Sequence, residues 1–327
     1  MPSGMKTERI PLVDLSGALV PGPKRDVTVE NIGKACQKIG FLIITGHKIP
    51  QPVLSSIEEN AREFFSLPHE EKMRSTSVSG FRGYAPAKHD ALALSRDIKT
   101  PPDLCEFFAA NRFDDPEVAR QAGLRKGREL FFSPNTWPCR PAGFRTAFET
   151  YYTAMENLAN QLMRLMALAL GLDEYWFEDK IRDHVSNLTI NHYPSLNGPT
   201  EPDQLRRGEH SDWGSLTILY HDGVAGLQVK SAKGDWKDVP VVPDSFVINL
   251  GDLMAAWTND YWVSTLHRVV IPQSSRGDRL SIAFFHQPAY DARIECIPTC
   301  TSPGVPPRHN PTTSGEWIQS MLNKTIY

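Results

Sequence analysis

Apolar residues recur along this chain with two different periods, and the elements they predict change accordingly. Near the start, Ile32, Ala35, Cys36 and Ile39 return at helical spacing and predict a helix over 29–39 that stops at Gly40. A second helix is predicted over 53–65, ended by Ser66-Leu67-Pro68. Between them lie strand candidates over 10–15, punctuated by Gly17 and Pro21, and the apolar run Phe41-Leu42-Ile43-Ile44, closed by Gly46. The longest amphipathic stretch, 144–170, places Phe148, Tyr151, Tyr152, Met155, Leu158, Leu162, Leu165 and Met166 on one side and ends at Gly171. It reads as a backbone helix packed on a sheet. Residues 75–140 show neither period. They are rich in Gly, Pro and aromatics, as in Phe81-Arg82-Gly83-Tyr84 and Asn135-Thr136-Trp137-Pro138, and are expected to be irregular loops covering a site.

Beyond residue 185 short strands are predicted over 188–193, 216–220, 227–230, 246–250, 266–271 and 280–285. Turn signals separate them: Asn197-Gly198, Asp222-Gly223, Lys233-Gly234, Gly251-Asp252 and Arg276-Gly277. Many short strands at this spacing predict a sandwich or a double-sheet jelly roll, with a closing helix over 314–322. The expected architecture is mainly β with flanking helices (α+β). Residues 8–140 form an N-terminal region with covering loops, residues 141–327 the long helix and jelly-roll core, and the two make one compact unit. No internal repeat or low-complexity segment interrupts the pattern.

Composition narrows the function classes. With 327 residues, 40% of them hydrophobic, the chain has ample core for such a fold. A net charge of −3, from 35 basic and 38 acidic residues without long runs of one sign, offers no surface for nucleic acid or an anionic membrane. Five widely spaced cysteines, an odd number without a Cys-x-x-Cys pair, argue for reduced thiols rather than a disulfide framework or zinc ribbon. The first residues lack the apolar core of a secretory signal, and no window approaches 18 apolar residues. A soluble, cytoplasmic protein is expected. Nothing in the sequence fixes the oligomeric state.

The chemistry concentrates in His210-Ser211-Asp212, His267 and Arg279-Leu280-Ser281. On a strand, side chains two apart share a face, so His210 and Asp212 are expected to grip one ion, with His267 arriving from a second strand. Two imidazoles and one carboxylate leave open positions on an octahedral ion, the arrangement of non-haem Fe(II) oxygenases. The bland alternative is a surface His-Asp pair and an unrelated core histidine. The other histidines lack a carboxylate in step with a third ligand, and His286 either lines a pocket or packs in the core. Arg279 offers a planar fork for a carboxylate, and Ser281 adds a hydroxyl on the same side. An edge-strand arginine paired to a surface acid is the plainer reading of that pair. Tyr193, on the strand face of Asn191, is the natural third contact to the carboxylate.

In order and spacing, these motifs resemble the Fe(II)/2-oxoglutarate-dependent dioxygenases, in the branch similar to isopenicillin N synthase, over nearly the whole chain. The N-terminal likeness rests on Ile10-Pro11-Leu12-Val13-Asp14-Leu15, Gly40-Phe41-Leu42 with Gly46-His47, and Phe64-Phe65 with Leu67-Pro68 and Glu71-Lys72. The C-terminal likeness adds Asn191-His192-Tyr193-Pro194, Gly226-Leu227-Gln228-Val229, Asn249-Leu250-Gly251-Asp252 and Ser264-Thr265-Leu266-His267-Arg268-Val269 to the motifs above. The resemblance implies a distorted double-stranded β-helix buttressed by helices, with Fe(II) at His210, Asp212 and His267. It further implies 2-oxoglutarate as co-substrate, its far carboxylate held by Arg279, Ser281 and Tyr193, with Asn191 supporting the end bound to iron. O2 is the oxidant, and ascorbate is expected to stimulate.

Within the family, the run from Gly208 to Ser215 is similar to thymine 7-hydroxylases and to fungal oxygenases of small aromatic polyketides. The chain carries Thr189 where the thymine enzymes have an arginine for the pyrimidine, which argues against that substrate. Ring-expanding, tropolone-forming oxygenases fit the same residues. The expected activity is oxidation of a C–H bond in a small aromatic or cyclic metabolite of secondary metabolism, by hydroxylation or radical rearrangement, releasing succinate and CO2. Arg82, Tyr84, Phe107, Trp213 and Phe285 are the expected substrate contacts. Rival readings are an O2-dependent oxidase of the same fold that dispenses with 2-oxoglutarate, a non-catalytic metal-dependent binding module, and, last, a zinc hydrolase, which leaves Arg279 and Ser281 without a role.

Overall fold

The computed structural model describes residues 9–76, 82–196, 198–272 and 277–325. Phe81, Asn197 and Arg276, from the loop and turn signals above, lie outside the described residues. Twelve strands carry the argument: β1 (Leu12–Asp14), β2 (Phe41–Thr45), β3 (Gly83–Ala85), β4 (Glu106–Ala110), β5 (Asn187–Tyr193), β6 (Arg207–His210), β7 (Leu216–His221), β8 (Leu227–Lys230), β9 (Trp236–Asp238), β10 (Phe246–Leu250), β11 (His267–Val269) and β12 (Arg279–His286). The main sheet runs β1-β2-β10-β7-β12-β5-β4-β3, and a second sheet runs β6-β11-β8-β9. Together they form the jelly roll.

The main sheet is buried on both faces, which explains why its strands read as near-continuous apolar runs. Beyond β1, even-numbered residues point one way: Leu42, Ile44, Phe108, Ile190, Ile218, Ile248, Ile282 and Phe284 join a core with Leu158, Leu162 and Met166 of the long helix Phe144–Ala169. Odd-numbered residues point toward the second sheet. There Phe41, Ile43, Tyr193 and Val247 meet Leu227, Val229 and Val269 in a smaller core. The period of two therefore sorts each strand into a helix side and an inter-sheet side, and the candidate site lies on the latter.

The expectation of irregular loops over 75–140 is corrected. β3 and β4 extend the main sheet beyond β5, a 3-10 turn spans Leu92–Arg96, and helices span Pro116–Ala122 and Glu129–Phe132. β4 reads Glu-Phe-Phe-Ala-Ala, without a β-branched residue, and owes its conformation to pairing along β5 rather than to local preference. Two further strands, β6 and β9, are absent from the predicted elements. The strand expected over 266–271 shortens to β11, and the last helix extends to Ser314–Thr325. All five cysteines are unpaired. Among the described residues no helix is long and apolar enough to cross a membrane.

Candidate active site

His210 ends β6 and His267 begins β11, and the two are directly paired across the second sheet. Their rings lie 4.2 Å apart, centre to centre. Asp212 completes the group: its Oδ1 is 3.8 Å from His210 Nε2 and 3.5 Å from His267 Nε2. The three ligand atoms fall within 4.8 Å of one another, and all three residues are buried. The reason given for Asp212 is corrected, since β6 stops at His210 and Asp212 sits in the turn leading to β7. That turn is tight at Gly214, where a Cβ would meet the His286 carbonyl oxygen at 2.6 Å. It is closed by the Asp252 N–H donating to the Asp212 carbonyl at 2.8 Å.

Hydrogen bonds orient each ligand. His210 Nδ1 lies 2.7 Å from the Gly208 carbonyl and His267 Nδ1 lies 3.1 Å from the Thr265 carbonyl. A carbonyl only accepts, so Nδ1 carries the proton in both rings and each Nε2 lone pair faces the centre. Asp212 Oδ2 accepts from Asn249 Nδ2 at 2.6 Å and from Thr217 Oγ1 at 2.5 Å, which turns Oδ1 toward the histidines. Burial and the facing His267 imidazole push His210 down to about 3. Burial opposes charge at Asp212 as well, yet the imidazoles and Asn249 hold its carboxyl well below the usual range. At His267 the Asp212 carboxylate more than offsets burial and raises the imidazole. Two imidazole nitrogens and a carboxylate, converging and buried, fit a divalent first-row ion such as Fe(II).

The anchor lies further along the same inner face. Register pairs Arg279 with Tyr193 and Ser281 with Asn191. All four are buried. Arg279 Nε donates to the Val224 carbonyl at 3.1 Å and Nη1 to Ser281 Oγ at 3.2 Å, and the guanidinium sits 4.9 Å from the Tyr193 ring centre. Among the described residues no carboxylate pairs with Arg279. Asn191 stands between Ser281 and Phe107 in one cross-strand row, its Oδ1 accepting from Cys105 Sγ at 3.7 Å.

A cavity of about 170 Å³ opens on His210 and Asp212. Its walls are mostly apolar: Phe107, Phe131, Trp213 and Phe285, with Ile318 and Leu322 of the C-terminal helix across the top. Arg82 stands in the wall, donating to Asn187 Oδ1 at 2.9 Å and to the Phe131 carbonyl at 3.1 Å, and burial pushes its guanidinium down to about 10. Arg207 lines the cavity too, paired to Asp90 at 2.9 Å.

Of the expected substrate contacts, Arg82, Phe107, Trp213 and Phe285 line this cavity and Tyr84 does not. Register pairs Tyr84 with Phe108, the helix-side residue of β4, so the phenol turns into the core and donates to Glu106 at 2.5 Å. Glu106 also holds Lys72 at 2.7 Å and His192 at 2.7 Å, a buried polar knot away from the cavity. His286 is structural, its Nδ1 2.7 Å from Ser215 Oγ. Sequence reasoning missed Asn249 and Thr217 behind Asp212, and missed Asn187, Arg207, Gln287, Ile318 and Leu322 around the cavity. For Asn249 the signal was present, an asparagine at an inward position of a strand that is otherwise apolar.

A jelly roll that converges two imidazoles and a carboxylate beside an arginine anchor defines a mononuclear non-haem oxygenase. Comparison with known proteins agrees. Residues 10–140 match the family described as "non-haem dioxygenase in morphine synthesis N-terminal", and residues 185–288 match the "2OG-Fe(II) oxygenase superfamily". A 2-oxoglutarate-Fe(II) type oxidoreductase of Emericella nidulans is 32% identical over 324 residues, covering 96% of this chain and 90% of the relative. A homoarginine-6-hydroxylase of Arabidopsis thaliana is 32% identical, covering 89% and 88%. Among solved structures, full-length Neurospora crassa T7H in complex with alpha-KG and thymine superposes with a TM-score of 0.83 at 29% identity, covering 96% of each chain. The chain belongs to the 2OG-Fe(II) oxygenase superfamily and is a 2-oxoglutarate-dependent non-haem iron dioxygenase, using Fe(II), 2-oxoglutarate and O2.

Proposed function

We propose that this dioxygenase oxidises a C–H bond of a small, flat, largely apolar ring metabolite, by hydroxylation or by rearrangement of the ring. One observation carries the proposal: a small cavity walled by Phe107, Phe131, Trp213 and Phe285 opens directly on His210 and Asp212. In this reading His210, Asp212 and His267 hold Fe(II), and Arg279, Ser281 and Tyr193 hold the far carboxylate of 2-oxoglutarate, with Asn191 toward its near end. Together the iron and the keto acid supply the oxidation, in which O2 and 2-oxoglutarate become succinate, CO2 and one oxygen atom delivered to the substrate.

The protein residues bind, orient and exclude water. Aromatic walls favour a planar ligand and present few polar atoms to it. Trp213 Nε1, buried and without a partner among the described residues, offers a hydrogen bond to a ring substituent. Arg82, braced by Asn187 and Phe131, offers a positive edge beside Thr189. A cationic substrate such as the homoarginine of the Arabidopsis relative's name would meet the Arg82 guanidinium in the wall, which disfavours it here. Ile318 and Leu322 add apolar surface to the lining, so that polar contacts inside compete with less water.

The test is succinate formation by Fe(II)-loaded protein with 2-oxoglutarate and a panel of methyl- and hydroxy-substituted aromatic rings. The expected result is succinate release that rises with one class of ring, a product one oxygen heavier or rearranged, and loss of both in Asp212→Ala. Ring oxidation without succinate would overturn the co-substrate assignment in favour of the oxidase. Iron-dependent ligand binding without any turnover would favour a binding module.

A further inference from the structure

Two buried guanidinium groups, not one, stand at the anchor end of the site. Arg206 and Arg207 are consecutive and meet opposite fates. Arg207 turns to the loops and is matched by Asp90 at 2.9 Å and Asp103 at 3.6 Å. Along an extended chain the preceding side chain points the other way. Arg206 does so: its Nη2 donates to the carbonyl of Gly277, two residues before Arg279 opens β12. Arg206 is only 1% exposed, yet its Nε and Nη1 are buried without a partner, and no carboxylate pairs with it among the described residues.

The nearby acids point chiefly at Arg62 rather than at Arg206. Asp222 Oδ2 takes Arg62 at 2.9 Å and the Leu280 N–H at 2.6 Å, and Asp278 Oδ2 takes Arg62 at 3.1 Å. Burial, and then the charge of Arg279, pull the Arg206 guanidinium below its ordinary value. A second unused donor marks the same end. His221 lies opposite Ser281 in register, and its Nδ1 accepts the Gly223 N–H at 3.2 Å. The neutral ring therefore carries its proton on Nε2, which is buried and unpartnered. A buried cation with idle donors is costly unless an anion meets it. Among the described residues Asp278 Oδ1 is also left without a hydrogen bond, one idle acceptor against the three idle donors of Arg206 and His221, so donors still outnumber acceptors where a carboxylate is expected.

We propose that Arg206 is a second guanidinium of the co-substrate pocket, holding the far carboxylate of 2-oxoglutarate together with Arg279. This rests on the assignment of Arg279, Ser281 and Tyr193 made above, and it makes Arg206 a positioning residue that selects dicarboxylic keto acids over monocarboxylic ones.

The experiment is calorimetric titration of Fe(II)-loaded protein, without O2, with 2-oxoglutarate and with 2-oxobutyrate, which lacks the far carboxylate. Arg206→Gln is expected to weaken 2-oxoglutarate about 10- to 100-fold, the worth of a charge-assisted contact, and to leave 2-oxobutyrate within about twofold. Equal weakening of both keto acids would assign Arg206 a structural role, and no weakening of either would assign it none; each result overturns the proposal. Should Arg206→Gln fail to fold, Arg206→Lys, which keeps the charge but loses the planar fork, carries the same comparison. A loss of about 3- to 10-fold on 2-oxoglutarate alone supports the proposal, and no difference between the keto acids overturns it. Wild-type protein that binds iron yet holds 2-oxoglutarate no better than 2-oxobutyrate would refute the anchor assignment itself, before any variant is made.

Discussion

Replacing Asn249 tests whether the metal centre depends on how Asp212 is aimed. Asn249 is 3% exposed, and its amide donates to Asp212 Oδ2 at 2.6 Å. Asn249→Leu keeps the volume and removes the donor. Thr217 then holds Oδ2 alone, and the carboxylate gains freedom to turn its second oxygen away from the histidines. A hydrogen bond to a charged group is worth about 1.5–3 kcal/mol, so Fe(II) affinity should fall about 10- to 100-fold, the range found when residues supporting metal ligands are removed. The assay is competition between the protein and a chelating indicator for Fe(II) under anaerobic conditions, with circular dichroism to show that the fold persists. Thr217→Val should cost less, and the double variant should depart from additivity because both donors share one oxygen. Asn249→Leu protein that is folded and binds Fe(II) within about twofold of wild type would refute the reasoning.

Two further predictions concern residues placed away from the chemistry. Tyr84→Phe should cost about 1–3 kcal/mol in urea unfolding by releasing one donor from Glu106, while succinate formation stays unchanged; lost turnover with intact stability would return Tyr84 to the substrate site. His286 is buried and held well below the ordinary histidine value, first by burial and then by His184, whereas in the unfolded chain it titrates near about 6.5. Its contribution is therefore whole above about pH 6.5 and is lost below it, at about 1.4 kcal/mol per pH unit, because the unfolded state binds a proton the fold refuses. His286→Gln should flatten the decline of stability between pH 7 and pH 5 by about that slope, measured by denaturant unfolding, and parallel declines in the two proteins would sink the idea.

How much of this was legible in the sequence depended on whether one strand or several decided a side chain's place. Arg279 with Ser281, and Asn191 with Tyr193, share a face because each pair lies two apart within one strand, and the period of two suffices. The same period put His210 and Asp212 together for the wrong reason. β6 ends at the histidine, and Asp212 is aimed by Asn249 and Thr217 from β10 and β7. No local pattern encodes that. β4 was illegible for a related cause: its composition is neutral, and its conformation comes from pairing along β5. Arg206 and Arg207 look alike in sequence, and only the acids brought in from residues 90 and 103 tell them apart.

The division between legible and illegible parts also bears on how such an enzyme changes substrate. The ligands and the anchor occupy β5, β6, β11 and β12 and the turn after β6, where a shift of one residue would send every side chain to the opposite face. The cavity walls come partly from this frame, Phe285 on β12 and Trp213 in the turn after β6, and partly from distant stretches: Arg82, Phe107 and Phe131 from the N-terminal half, Ile318 and Leu322 from the last helix. Of these distant residues only Phe107 lies in a strand of the main sheet, so the others can vary without disturbing the register that holds the metal. A homoarginine hydroxylase and a T7H that binds thymine are both similar to this chain over most of its length, which fits a fixed metal frame with an exchangeable wall. Thr189 lies on that boundary: it is on β5, within the frame, yet it faces the cavity between Arg82's partner Asn187 and the anchor-side Asn191. A longer side chain there would intrude on the cavity without altering the register. This makes it, with Phe285 on β12, a position where the frame itself can restrict the ring that enters.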